Sequence, residues 1–314
     1  MSFSASEMSF LGSQLSKVAF SRRMCYNESN RKRGIFMFYL LLAIASSTMV
    51  SVSMRLSEKR VKNDMGMFIA NYLTCVLLSC AFLGTSLFTT GAGFGSAVLQ
   101  GGFSGFLYLA SLFFMQENMH HNGIVLTSAF SKLGVLVPTL MAIVIFRERP
   151  EVLQLLGMVV ALIAISIIYF EKGAFSQGNK KALLLVTLLV SGASDSMANI
   201  YDKTGSAAFK DHYLLFTFGA ACLFAVLMNL RSKAPIGKAE IGFGIMIGVP
   251  NYFSARFLLH ALSTVPAVIA YPVYSVATIV SITLAGVFFF KEQVSKKKKF
   301  ALLLVVVALV LLNL

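Results

Sequence analysis

Long apolar stretches, each interrupted by only a few polar residues, run through the chain from residue 34 to its end. Ten can be marked: 34–54, 65–84, 96–115, 124–146, 153–171, 181–203, 211–229, 241–262, 266–290 and 298–314. Each is about 17–25 residues long, the length at which a helix crosses a hydrocarbon core of about 30 Å. The stretches are continuously apolar rather than alternating, which predicts helices and argues against a barrel. The connecting segments are short and leave no room for a soluble domain. The pattern therefore predicts an all-α membrane protein with ten transmembrane helices, multi-pass in the cell membrane.

Composition sharpens this picture. The 314 residues are 57% hydrophobic and only 13% charged, and the mean hydropathy is +0.78. A water-facing globule carries about 25% charged residues, so lipid must be the solvent for much of this surface. Residues 1–33 differ from the rest: a Ser-rich stretch is followed by Arg22, Arg23, Arg31, Lys32 and Arg33. No long apolar core precedes a cleavage site there, so no signal peptide is expected. A surface amphipathic segment and an over-long start, with initiation at Met24, both fit. The net charge of +14 sits in the loops, with no basic face interleaved with aromatics. It reads as membrane-flanking charge, and nucleic acid is not an expected partner. Cys25, Cys75, Cys80 and Cys222 form no CxxC pair and read as packing residues.

Shifting the sequence by 144 residues aligns two stretches without a gap. Tyr108 falls on Tyr252, Phe113 on Phe257, Ser131 on Ser275, Thr139 on Thr283 and Leu140 on Leu284. The charged end of the fourth span, Phe146-Arg147-Glu148, falls on Phe290-Lys291-Glu292 at the end of the ninth. The halves are 34–171 and 181–314. Each holds five spans, an odd number, so the second enters the membrane from the opposite side. Two inverted five-helix repeats enclose a site near the midplane that rocking can expose to each side in turn. A duplicated bundle with no transport role is the plainer alternative.

At these residues the sequence resembles the EamA family of the drug/metabolite transporter superfamily. The pattern is an apolar span ending in Phe-x-Glu, a short loop, then another apolar span, once per half. Here it reads Leu136–Phe146, Arg147-Glu148-Arg149-Pro150 and Leu155-Leu156-Gly157, then Ile279–Phe290, Lys291-Glu292-Gln293 and Phe300–Leu312. Ala301 stands where the first half has Gly157, a departure that loosens the match at the tenth span. The resemblance implies ten helices around a central cavity lined mainly by the first, third, fourth, sixth, eighth and ninth. It implies a transporter of metabolites, among them amino acids, drugs, nucleotide sugars and sugar phosphates, without choosing between them.

An ionisable group inside a span costs roughly 2.5–3.5 kcal/mol at a helix centre and calls for a partner or a role. Ser128, Lys132 and Thr139 share one face of the fourth span; Ser191, Asp195, Asn199 and Asp202 share one face of the sixth. Tyr252, Arg256, His260 and Ser263 do so at the eighth, and Tyr274, Thr278 and Ser281 at the ninth. The first span offers Ser47 and Ser51. Lys132 and Arg256, if they face one cavity, favour an anionic or zwitterionic substrate. An ion pair of either cation with Asp195 is the structural alternative. Asp195 is placed either to titrate and couple proton flow or to hold a cation. Tyr108, Tyr252, Tyr271 and Tyr274 are candidate cavity walls. The expected substrate-binding set is Lys132, Arg256, Asp195, Asn199, Ser128, Tyr252, Tyr274 and Tyr108.

Other features carry less chemistry. Pro138 and Pro272 predict kinks, and Gly101/Gly105 and Gly244/Gly248 predict close helix contacts. Glu148 and Glu292 read as caps at span ends. His120, His121 and His212 are scattered and make no metal site. Gly91-Ala92-Gly93-Phe94-Gly95 lacks the βαβ setting of a dinucleotide fingerprint, and there is no Walker A run, so direct ATP-driven pumping is not indicated. No paired carboxylates or clustered histidines form a convergent catalytic set, so no enzyme and no cofactor are expected. The expected partners are a small-molecule substrate and the lipid bilayer, with proton coupling and a homodimer left open. With the N-terminus inside, ten basic residues fall on the inside segments and fifteen on the outside loops, which opposes the positive-inside rule. The resemblance and the basic N-terminal segment favour both termini inside. The expected function is secondary transport of a small polar metabolite; a non-transporting scaffold or sensor is the alternative.

Overall fold

The computed structural model describes residues 38–134, 136–144, 152–169, 181–262, 267–291 and 296–311. The N-terminal extension, the Phe146-Arg147-Glu148 segment, Ser263 and Glu292 lie outside the described residues, as do the side chains of Thr139 and Tyr271. The described residues form α1 (Phe38–Ser57), then α2 (Asp64–Leu83), α3 (Phe94–Leu133), α4 (Leu136–Val144), α5 (Val152–Tyr169) and α6 (Lys181–Thr204). α7 (Lys210–Ser232), α8 (Lys238–Leu262), α9 (Ala267–Phe288) and α10 (Lys296–Leu311) follow. No strand occurs among the described residues. Five helical stretches among them are long and apolar enough to cross a membrane: Phe38–Ser57, Asp64–Phe88, Phe94–Pro138, Ala182–Thr204 and Ala207–Ser232.

Local chemistry sets the helix ends. Asn63 caps α2, its side chain accepting from the Gly66 N–H at 3.1 Å. Gly93 in a left-handed conformation precedes α3, and Lys233 closes α7 in the same conformation, its N–H donating to the Asn229 carbonyl. The segment read as a loop between the third and fourth spans, 116–123, is instead helical up to Asn122. Its polar side chains find partners: Gln116 donates to Ser57 at 3.3 Å and Asn118 to Thr187 at 2.9 Å. The break is confined to Gly123, whose φ of 78° and ψ of 168° leave the helical region. Ser111 before the break and Ser131 after it both lie 3.0 Å from the Ser191 hydroxyl, so the chain doubles back at Gly123.

Two close crossings tie the helices together. On α3, a Cβ on Gly105 would sit 2.3 Å from the Thr217 carbonyl oxygen, and one on Gly101 would sit 2.9 Å from that of Tyr213. On α8, a Cβ on Gly248 would sit 2.6 Å from the Asn71 oxygen, and one on Gly244 would sit 2.6 Å from that of Met67. Only hydrogen fits at these points, which is how small residues allow helix backbones to touch. In both crossings the contacts advance in the same direction along both helices, so α3 runs parallel to α7 and α2 parallel to α8. α2 also packs on α7, α3 on α6, and α5 on α10.

The buried apolar side chains fall into two cores. One gathers Phe68, Tyr72, Leu109, Phe218 and Tyr252. The other gathers Leu40, Phe130, Leu188, Tyr274 and Val305. The polar site lies where the two meet.

Candidate functional site

A cavity of about 120 Å³ lies between α1, α3, α6, α8 and α9. Its walls carry Ser47 and Ser51 from α1, Ser111, Ser128, Ser131 and Lys132 from the two arms of α3, and Ser191, Ser194 and Asp195 from α6. Asn251 and Ser254 come from α8 and Tyr274 from α9, with Tyr108, Leu112 and Met115 adding apolar surface. Serine is small and polar, so a wall of serines leaves space and offers hydroxyls without bringing charge.

The approach of α6 to the second arm of α3 depends on Gly134 and Gly192. A Cβ on Gly192 would lie 2.3 Å from the Gly134 carbonyl oxygen. That contact brings Ser191 into its chain of hydroxyls with Ser111 and Ser131. Lys132, one residue on, points its Nζ to within 3.5 Å of the Ser47 hydroxyl and 4.2 Å from the centre of the Tyr274 ring. An ammonium over an aromatic face is held by the ring quadrupole. Asp195 lies close enough for its charge to interact with that of Lys132. Tyr274 in turn shares a 3.2 Å hydrogen bond with Ser254. The Ser128 hydroxyl is buried and meets no hydrogen-bonding partner among the described residues.

Of the expected substrate-binding set, Lys132, Asp195, Ser128, Tyr274 and Tyr108 line this cavity, joined by Ser47, Ser51 and Ser191 from the polar stripes. Arg256, Tyr252 and Asn199 are not among its walls. The Arg256 guanidinium lies 3.0 Å from the carboxylate of Asp211, in the first turn of α7, and donates to the Tyr252 hydroxyl at 2.7 Å. It also stacks over Phe82 at 4.4 Å. Asn199 is buried on α6, one turn beyond Asp195. Sequence reasoning missed Asn251, Ser254, Ser111 and Ser194. Their one signal is a small polar residue in an apolar span, and serines that bond their own backbone give the same signal.

Residues 211–305, from the start of α7 into α10, match the family of Small Multidrug Resistance proteins. An uncharacterized protein of Haemophilus influenzae (strain ATCC 51907 / DSM 11121 / KW20 / Rd) is 25% identical over 270 residues, covering 82% of this chain and 91% of its own length. A solved crystal structure shares the fold, with a TM-score of 0.54 over 88% of this chain and 95% of that one, at 14% identity. The family match and the long apolar helices point to a multi-pass membrane protein of transporter type.

Proposed function

We propose that this protein is a secondary transporter of the EamA type, moving a small polar solute that is anionic or zwitterionic across the cell membrane by alternating access. The observation that carries this reading is the serine-lined cavity holding Lys132 and Asp195. Placing both charges inside a bilayer is costly, and a solute with complementary charges offsets that cost. Lys132 holds the anionic group, with Ser47 and the Tyr274 ring fixing its direction. Asp195 holds a cationic group on the solute or a coupling proton. Buried polar groups are favourable only when something polar meets them, and a bound solute supplies the partner that the Ser128 hydroxyl needs.

Ten membrane helices in two inverted halves complete the proposal. The equivalence of the two glycine crossings supports it. Gly101 and Gly105 take the places in one crossing that Gly244 and Gly248 take in the other, and Tyr213 and Thr217 take those of Met67 and Asn71. Both crossings join a helix of one half to a helix of the other, so rocking of the halves moves the cavity walls together. With both termini inside, a single cysteine at Lys297 is labelled by an impermeant reagent in intact cells; labelling only in opened cells would reverse the orientation.

Purified protein in proteoliposomes, supplied with radiolabelled amino acids, sugar phosphates and nucleotide sugars with and without a pH gradient, tests the function. Saturable uptake of at least one solute is expected, with Lys132→Ala and Asp195→Asn each abolishing it. If both variants carried the same solute at the wild-type rate, the cavity would not be the transport site. A scaffold or sensor predicts no flux in any arm.

A further inference from the structure

A second cavity, of about 530 Å³, opens between α3 and α7 and is almost wholly apolar. Its origin is geometric. The two helices touch at Gly105 and diverge beyond the Phe106–Phe224 ring contact, leaving a groove between their later turns. From Phe106 to Phe114 the groove follows α3 for about 12 Å at 1.5 Å per residue, most of the roughly 15 Å depth of one leaflet.

Counted from the touching glycines, a register one residue off the 144-residue shift, the α2–α8 crossing shows what fills such a groove when the protein fills it itself. Ala110 stands nine residues after Gly101; Phe253 stands nine residues after Gly244. Met228 stands eleven after Thr217; Phe82 stands eleven after Asn71. At the α2–α8 crossing Phe82 and Phe253 pack edge to face, 5.9 Å between centres. At the α3–α7 crossing the smaller Ala110 and the flexible Met228 leave the space open. Leu227 and Met228 are 52% and 46% exposed, so the groove faces out of the protein. Its one charged wall residue is Arg231, in the last turn of α7. That places a cation at the end of an apolar groove, where a helix of 23 residues, about 34 Å long, reaches the headgroup layer.

We propose that this groove is a binding site for an anionic phospholipid, one acyl chain lying between α3 and α7 and the phosphate held by Arg231. A guanidinium matches phosphate geometry in a fork of N–H donors, and the apolar walls match an acyl chain. The site is separate from the polar cavity and does not depend on the protein's being a transporter.

Native mass spectrometry of the full-length, delipidated protein, titrated with phosphatidylglycerol or phosphatidylcholine of identical chains, tests this. The first phosphatidylglycerol is expected to bind about fivefold more tightly than phosphatidylcholine, the factor that one favourably placed basic residue supplies. Arg231→Gln removes that preference. Lys233→Ala, which removes a charge two residues on but outside the groove walls, leaves it. Ala110→Phe installs the ring found at the other crossing and removes the first bound lipid of either kind. Leu227→Trp, on the exposed lip, does the same if the phenylalanine variant fails to fold. Equal binding of the two lipids, or a preference that survives Arg231→Gln, overturns the proposal. So does a dimer whose population falls on filling the groove, since the occupant would then be a second copy of the chain.

Discussion

Replacing Gly105 with alanine tests the helix crossing on which the placement of α3 rests. The added Cβ would stand 2.3 Å from the Thr217 carbonyl oxygen, 2.7 Å from the Ala220 Cβ and 2.8 Å from the Ala221 nitrogen. Two of these neighbours are backbone atoms and cannot rotate away. Restoring ordinary contact, which begins near 3.4 Å, requires α3 and α7 to part by about 1 Å. Overpacking of this kind costs roughly 1–3 kcal/mol, against a gain of about 1 kcal/mol in helix propensity. The net loss of about 0–2 kcal/mol corresponds to a melting temperature lower by up to roughly 8 °C, and the clash itself, about 1–3 kcal/mol, separates this variant from one that gains the propensity alone. Gly102 is the internal control, because a Cβ there meets nothing within 4 Å. Gly102→Ala keeps the propensity gain without the clash and melts at or above the wild type. The assay is the monodisperse fraction of detergent-solubilised protein after heating, followed by size-exclusion chromatography. If Gly105→Ala and Gly102→Ala melted together, the close approach of α3 and α7 would be refuted.

Two further perturbations probe contacts that hold the helices together away from the cavity. Arg256 and Asp211 are 16% and 34% exposed, so their ion pair contributes only about 1 kcal/mol. Arg256→Gln and Asp211→Asn should each lower thermal stability, with the double variant no worse than the poorer single one, and additive losses would mean that the pair is not coupled. At the start of α8, Glu240 accepts the backbone N–H groups of Lys62 at 3.0 Å, Asn63 at 3.4 Å and Gly237 at 3.0 Å. The N–H of Lys62 leads in holding this carboxyl below its ordinary value of 4.5. A depressed carboxyl stabilises the fold above its ordinary value and loses that effect as pH falls through the lowered one. Melting curves across acid pH should therefore converge for wild type and Glu240→Gln at the acid end and separate above 4.5.

The apolar stretches were legible as helices because lipid leaves few ways to write one, and five helical stretches among the described residues are long and apolar enough to cross a membrane. The glycine pairs were legible too: Gly101/Gly105 and Gly244/Gly248 stand at the two crossings. The position of the third turn was less so, since Gln116 and Asn118 look like loop residues until Ser57 and Thr187 are seen beside them. Helical spacing put Lys132 and Arg256 on polar stripes, but spacing fixes only which residues share a face. It does not say which neighbour that face meets. Asp211 lies 45 residues before Arg256 in the chain, at a span edge, and only the packing of α7 against α8 brings the two together. Asn251 and Ser254 likewise became visible as cavity walls once α8 was set beside α1 and α9.

Alternating access requires the serine-lined cavity to open to both sides of the membrane. Ser128→Cys tests it with little change in volume, in a background where Cys25, Cys75, Cys80 and Cys222 are alanine. In oriented proteoliposomes, an impermeant methanethiosulfonate is applied from outside or loaded inside. Modification of the thiol at this position is expected from each side in turn. Modification from one side only, or from neither, would contradict alternating access to this cavity.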